Sequence, residues 1–162
     1  MKSKNLNILL ADDDHDDCMF FKQALEELDT TSNLTTVHDG EQLMDYLNSA
    51  VAENVGAVGA EDFLPLQPLP DIIFLDINMP RKNGIECLAE IKRNEKLKLI
   101  PVVMFSTTNS WDTINQLFKS GSNVYIHKPS DFTQLKQVIN HALPIASEND
   151  FSKVKVKYVL NA

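Results

Sequence analysis

The chain has 162 residues and a mass of 18.2 kDa, which is room for one ordinary domain and too little for two with separate cores. Hydrophobic residues make up 43%, with only five Gly and seven Pro, which excludes a collagenous or largely disordered chain. Fifteen Lys and Arg against 23 Asp and Glu leave a formal charge of −8, a field that repels nucleic acid and anionic lipid, so neither nucleic-acid binding nor membrane insertion is expected.

From Leu6 to Ala11 the chain is short, apolar and stopped by acids, which predicts a buried strand and is too brief for a signal peptide or a spanning helix. From about Asp14, Cys18, Phe21, Leu25 and Leu28 recur at helical spacing. Residues 34–38 are β-rich, and Asp39 with Gln42 three positions on opens a second helix. Residues 71–75 form a third apolar run. Asn83-Gly84 with Glu86 then starts a helix through Ile85, Leu88 and Ile91. Pro101 to Phe105 is a fourth run, followed by a helix carrying Trp111, Ile114, Leu117 and Phe118 at core spacing. Val124 to His127 is a fifth, followed by a helix with Phe132, Leu135, Val138, Ile139, Ala142 and Leu143. Five strand–helix pairs this apolar predict an α/β fold, a doubly wound (βα)5 parallel sheet covered on both faces.

Two segments leave that rhythm. Residues 51–70, ending in Leu-Pro-Leu-Gln-Pro-Leu-Pro, read as an insertion before the third strand, where compact domains use about 2 to 6 residues. Residues 146–162 read as a linker and tail in which Lys153, Lys155 and Lys157 alternate with Val154, Val156 and Tyr158. Lysines there suit an edge guarded against aggregation, and the alternation would also suit an added strand. The organisation expected is one domain over 1–145 with no output domain. Cys18 and Cys87 form no CxxC and no cluster with His, which fits small packing residues in a reducing cytoplasm.

Ligands of open parallel sheets bind beyond the carboxyl ends of the strands. Those ends carry Asp12 and Asp13, Asp76 with Asn78 two further on, Ser106 and Thr107, and Lys128. Carboxylates gathered this closely repel by roughly 1 to 4 kcal/mol per pair and call for a cation, and hard oxygen ligands suit magnesium. A bound divalent ion would draw in a phosphoryl group, Lys128 and Ser106 would meet its oxygens, and Asp76 becomes a nucleophile able to form an acyl phosphate. Asp14 fits a helix start rather than a ligand, and His15 a solvated histidine.

These segments resemble the receiver domain of two-component response regulators. Ile8-Leu-Leu-Ala-Asp12-Asp13-Asp14 is similar to its acidic-pair strand, and Leu75-Asp76-Ile-Asn-Met-Pro80 with Gly84 to its phosphoacceptor segment. Pro101-Val-Val-Met-Phe-Ser106 is similar to its switch-hydroxyl strand, and Tyr125-Ile-His-Lys128-Pro129 to its aromatic-switch and lysine segment. The long connection and polar tail resemble the single-domain regulators of the phytochrome-associated group. The resemblance implies strand order 2-1-3-4-5 and phosphorylation of Asp76 by a histidine kinase or a histidine phosphotransfer protein. It implies Mg2+ on Asp13 and Asp76, on Asp12 through water, and on the backbone carbonyl of Asn78. It implies Lys128 on the phosphoryl oxygens with a cis bond to Pro129, and a switch in which Ser106 moves toward the phosphoryl group and Tyr125 rotates inward behind it. The face of helix four, strand five and helix five would then change for a downstream protein, with a homodimer as one allowed assembly. Such a protein is not an enzyme beyond slow autodephosphorylation. A haloacid-dehalogenase-type phosphatase places its nucleophile after the first strand with a second Asp two residues on, where this chain has Asn78. No GxGxxG or GxxxxGK[ST] supports a nucleotide or flavin site. A scaffolding pseudo-receiver is disfavoured by the presence of Asp76, Lys128 and the acid pair.

Overall fold

Alternation within the strands sends side chains to two separate cores in the computed structural model, which describes residues 5–54, 67–122, 124–147 and 158–160. The elements are β1 (Leu6–Ala11), α1 (His15–Glu27), β2 (Ser32–Val37), α2 (Gly40–Asn54), β3 (Ile72–Leu75) and α3 (Gly84–Arg93). They continue with β4 (Val102–Ser106), α4 (Trp111–Lys119), β5 (Val124–His127), α5 (Phe132–Ala142), a 3-10 turn over Leu143–Ser147, and β6 (Tyr158–Leu160). All pairings are parallel, in the order β2-β1-β3-β4-β5-β6, so the expected order 2-1-3-4-5 holds and gains an edge strand.

Ile8, Leu10, Ile72, Phe74, Val103, Phe105, Val124 and Ile126 pack under α1 and α5. Their neighbours Leu9, Ala11, Ile73, Leu75, Val102, Met104 and Tyr125 pack under α2, α3 and α4. A period of two on strands buried on both faces leaves no polar position until the strand ends, which is why every charged group of the sheet collects there. Phe21 of α1 is fully buried and meets Phe74 edge-on at 4.8 Å and Phe105 at 5.9 Å. Its burial contributes about 1.5 to 3 kcal/mol and fixes α1 over the site end of β1, β3 and β4.

The helix starts follow local chemistry. Asp14 caps α1 by accepting from the amides of Asp16 and Asp17, and Asn83 caps α3 by accepting from Glu86 N. Asp39 accepts from Gln42 N at 2.8 Å, while the Gln42 side chain answers one residue earlier than the capping box predicts, on His38 N.

Four expectations need correction. Residues 51–54 complete the last turn of α2, because Ala50 and Val51 extend its packed face, so only part of the 51–70 insertion lies outside helix. Within it, Leu69 packs on the core and Pro68 accepts from the Tyr46 hydroxyl; residues 55–66 lie outside the described residues. The tail is not wholly a linker, since Tyr158–Leu160 pairs with β5 in the register Tyr125↔Val159, satisfying an otherwise open strand edge. Trp111 is 62% exposed, because α4 starts at that residue, ahead of its buried stripe of Ile114, Leu117 and Phe118. No peptide bond among the described residues is cis, so Lys128–Pro129 is trans, the isomer a prolyl bond favours by about 0.5 to 1 kcal/mol. Among the described residues no helix is long and apolar enough to cross a membrane.

Candidate functional site

Asp12 follows β1, Asp76 follows β3, Ser106 ends β4 and Lys128 follows β5, and the parallel register brings all four to the carboxyl edge of the sheet. The Asp12 carboxylate is 1% exposed and that of Asp76 9%. Oδ1 of Asp12 accepts from Asp14 N at 3.0 Å and Oδ1 of Asp76 from Ile77 N at 2.8 Å. Each acid thus has one oxygen held by backbone and one turned toward the lysine. Lys128 Nζ lies 2.7 Å from Asp12 Oδ2, 3.3 Å from Asp76 Oδ2 and 3.0 Å from Asp17 Oδ2. Three carboxylates therefore match the three N–H bonds of one ammonium. Its own amide donates to the Ser106 carbonyl at 2.8 Å, which ties the start of the β5–α5 loop to the end of β4.

Burial is the largest influence on Lys128 and opposes its charge. The hydrogen bond and charge of Asp12, with Asp76 and Asp17 behind, outweigh it and hold the ammonium above the ordinary lysine range. Burial likewise pushes the Asp12 carboxyl up to about 6, against the opposing pull of Lys128 and the Asp14 amide. The site carries more negative charge than one lysine offsets.

Carboxylate oxygens of Asp12, Asp13 and Asp76 lie within 4.8 Å of one another, Asp13 from an exposed position. Ser106 is fully buried, and its Oγ has no hydrogen-bond partner among the described residues. An unpartnered buried hydroxyl beside an acid-rich edge fits hard oxygen chemistry, with a divalent cation to balance the carboxylates and an anionic oxygen to accept from Ser106. Tyr125 lies inward, 1% exposed, its phenol donating to Thr108 O at 2.7 Å and facing Ser106 O at 3.4 Å. Burial pushes its phenol pKa above that of free tyrosine, making it the weaker acid. Asn78 is exposed in the turn after Asp76. Asp14 is spent on the α1 cap, as its position suggested.

Gly84 and Gly40 permit the tight loop behind Asp76. A Cβ at Gly84 would drive into the Asp76 carbonyl, and one at Gly40 into the Lys82 carbonyl. Gly84 N also donates to Ile77 O at 2.8 Å, so the start of α3 rests directly against the Asp76 backbone.

The sequence reading did not single out two participants. Asp17 sits four residues before Phe21 and eight before Leu25, on the buried stripe of α1, and that spacing was the available signal. His38 Nδ1 donates to the Asp12 carbonyl at 3.1 Å, with its ring 4.3 Å from that of His15; no local pattern marks that contact. Cys18 places Sγ 3.5 Å from the same carbonyl, and burial pushes its thiol up to about 12, which suits packing rather than reactivity.

The family model for the response regulator receiver domain matches residues 8–140, a span that contains every residue of this edge. The chain belongs to the response regulator receiver family. It is 33% identical over 132 residues to the probable methanogenesis regulatory protein FilR2 of Methanothrix harundinacea, covering 82% of this chain and 77% of that protein. The crystal structure of the phosphorylated cyanobacterial phytochrome response regulator RcpA superposes with a TM-score of 0.72 at 31% identity, covering 91% of this chain and 97% of that one. The Mn2+-bound form of response regulator Rcp1 superposes with the same TM-score at 29% identity, covering 90% and 96%. The Synechocystis Rcp1 sequence is 31% identical over 133 residues, 82% of each chain. Receiver domains are phosphoacceptor switches rather than classical enzymes and bind a divalent metal at an acidic pocket, and here Asp12, Asp13 and Asp76 form an acidic cluster at the carboxyl edge of the sheet.

Proposed function

We propose that this receiver domain is a magnesium-dependent phosphoacceptor in a cytoplasmic phosphorelay, with Asp76 taking the phosphoryl group from a histidine kinase or a histidine phosphotransfer protein. The observation that carries the reading is the sharing of one ammonium by two buried strand-end acids, Lys128 Nζ at 2.7 Å from Asp12 and 3.3 Å from Asp76. RcpA, a phytochrome response regulator, supports a sensor kinase as the class of donor.

Asp76 Oδ1 is pinned by Ile77 N, which leaves Oδ2, the oxygen turned toward Lys128, as the one to attack phosphorus. Lys128 meets the negative charge that gathers on the phosphoryl oxygens, and one of those oxygens accepts from the buried Ser106 hydroxyl, giving it the partner it lacks. Asp12, Asp13, Asp76 and the backbone carbonyl of Asn78 would hold the cation. Magnesium, when bound, supplies the positive charge that offsets the carboxylates and polarises the transferring group. Exclusion of water by the buried strand ends slows the return reaction.

Engagement of Ser106 reorganises the end of β4, which Tyr125 touches through the carbonyls of Ser106 and Thr108. The face of α4, β5 and α5 thereby changes shape for a downstream protein or a second copy of this chain. Phosphorylation needs to favour that arrangement by only a few kcal/mol to invert its population. The test is incubation with magnesium and acetyl phosphate followed by intact mass. Wild type gains one phosphoryl group and Asp76→Ala none; equal labelling of both places the acceptor elsewhere and overturns the assignment.

A further inference from the structure

We infer that Asp17 is a positioning residue for phosphoryl transfer, holding Lys128 partly away from the phosphoryl position and so restraining the rate at which Asp76 is phosphorylated; this rests on the function proposed above.

Asp17 lies in the first turn of α1, three residues after the Asp14 cap, and its Oδ2 is 3.0 Å from Lys128 Nζ. A carboxylate at that point of a helix is favoured by the backbone dipole alone, and Asp16, its neighbour, satisfies that preference from an exposed position. Asp17 differs by geometry. It shares the inward stripe with Phe21 and reaches across from α1 to the loop after β5. The Lys128 side chain is only 11% exposed, so its three N–H bonds have few partners other than the three carboxylates. Two of these belong to the strand ends, where Asp76 reacts. The third belongs to α1, and Asp17 lines with Lys128 a cavity formed by Phe20, Phe105, Pro129 and Phe132.

In the transfer, an Asp76 oxygen bonds to phosphorus while the donor's P–O bond breaks and acetate leaves with its electron pair, with no proton changing hands. The charge that Lys128 must stabilise appears on the phosphoryl oxygens. Each N–H kept on Asp17 is unavailable to them, and the Asp17 charge also repels an anionic donor.

Phosphorylation of the full chain by acetyl phosphate and magnesium, followed by intact mass, decides the matter across wild type, Asp17→Asn, Asp17→Glu and Asp16→Asn. Asp17→Asn is expected to label roughly fivefold faster, the scale of one partly exposed charge-assisted contact. Its magnesium affinity by calorimetry should stay within about twofold, since Asp17 is outside the cation cluster. Asp17→Glu restores the wild-type rate. Asp16→Asn removes the same charge from the same turn without touching Lys128, and leaves the rate unchanged. An unchanged or slower rate in Asp17→Asn, or equal acceleration in Asp16→Asn, overturns the inference while labelling of wild type at Asp76 stands. No labelling of wild type at all overturns this inference and the phosphoacceptor reading together.

Discussion

Lys128 and Asp12, 116 residues apart in sequence, meet at 2.7 Å across the carboxyl edge of the sheet, yet the contact does not fully compensate the acid for its burial. The Asp12 carboxyl titrates at about 6, above its ordinary value of 3.8. A folded-state value above the unfolded one means that the folded protein holds the proton more tightly. Stability is therefore highest below pH 4 for this group and is lost as pH rises from about 4 to about 6. The span corresponds to about 3 kcal/mol.

In EDTA, urea unfolding should accordingly show a contribution from this group that falls between pH 4 and pH 6, and Asp12→Asn should remove that fall and be the more stable protein at pH 7. If the difference between wild type and Asp12→Asn is flat across that window, the burial argument is wrong.

Millimolar magnesium at pH 7 should raise the wild-type melting temperature by several degrees through mass action on the folded state. Asp13→Ala should blunt the shift, because one of the three converging carboxylates is gone. Equal shifts in both proteins would move the cation to another place.

Gly84→Ala should cost about 1 to 3 kcal/mol, because the new methyl meets the Asp76 carbonyl and α3 must back away. Displacement of the Asp76 backbone should also slow labelling by acetyl phosphate. Wild-type stability with a wild-type labelling rate would refute the close approach as a constraint.

Trp111 and Leu117 lie on one helix with opposite fates, the first 62% exposed and the second fully buried. Trp111→Ala should change stability by no more than about 0.5 kcal/mol, whereas Leu117→Ala should cost about 2 to 5 kcal/mol. Chemical denaturation of the two variants distinguishes this from a helix with Trp111 in its core.

Deleting residues 158–162 should leave Asp76 labelling intact and accelerate hydrogen exchange in β5, whose edge β6 covers in the register Val124↔Tyr158 to Ile126↔Leu160. Unaltered exchange there would mean that β6 does not protect β5 in solution.

The amino-acid sequence by itself determined the five βα units, the parallel sheet they imply and the residue types at the strand ends. These rest on local rules: apolar runs too long to face water, caps such as Asp14 and Asn83, and the chain reversals that place Asp12, Asp76, Ser106 and Lys128 after successive strands. Tertiary structure alone decided which acids share Lys128. Asp17 joins only because Phe21 docks α1 against Phe74 and Phe105, a contact between elements far apart in sequence. The exposure of Trp111 and the pairing of β6 were likewise settled by what lies alongside. Periodicity says that a side chain faces inward, and only the assembled neighbours say what it meets there.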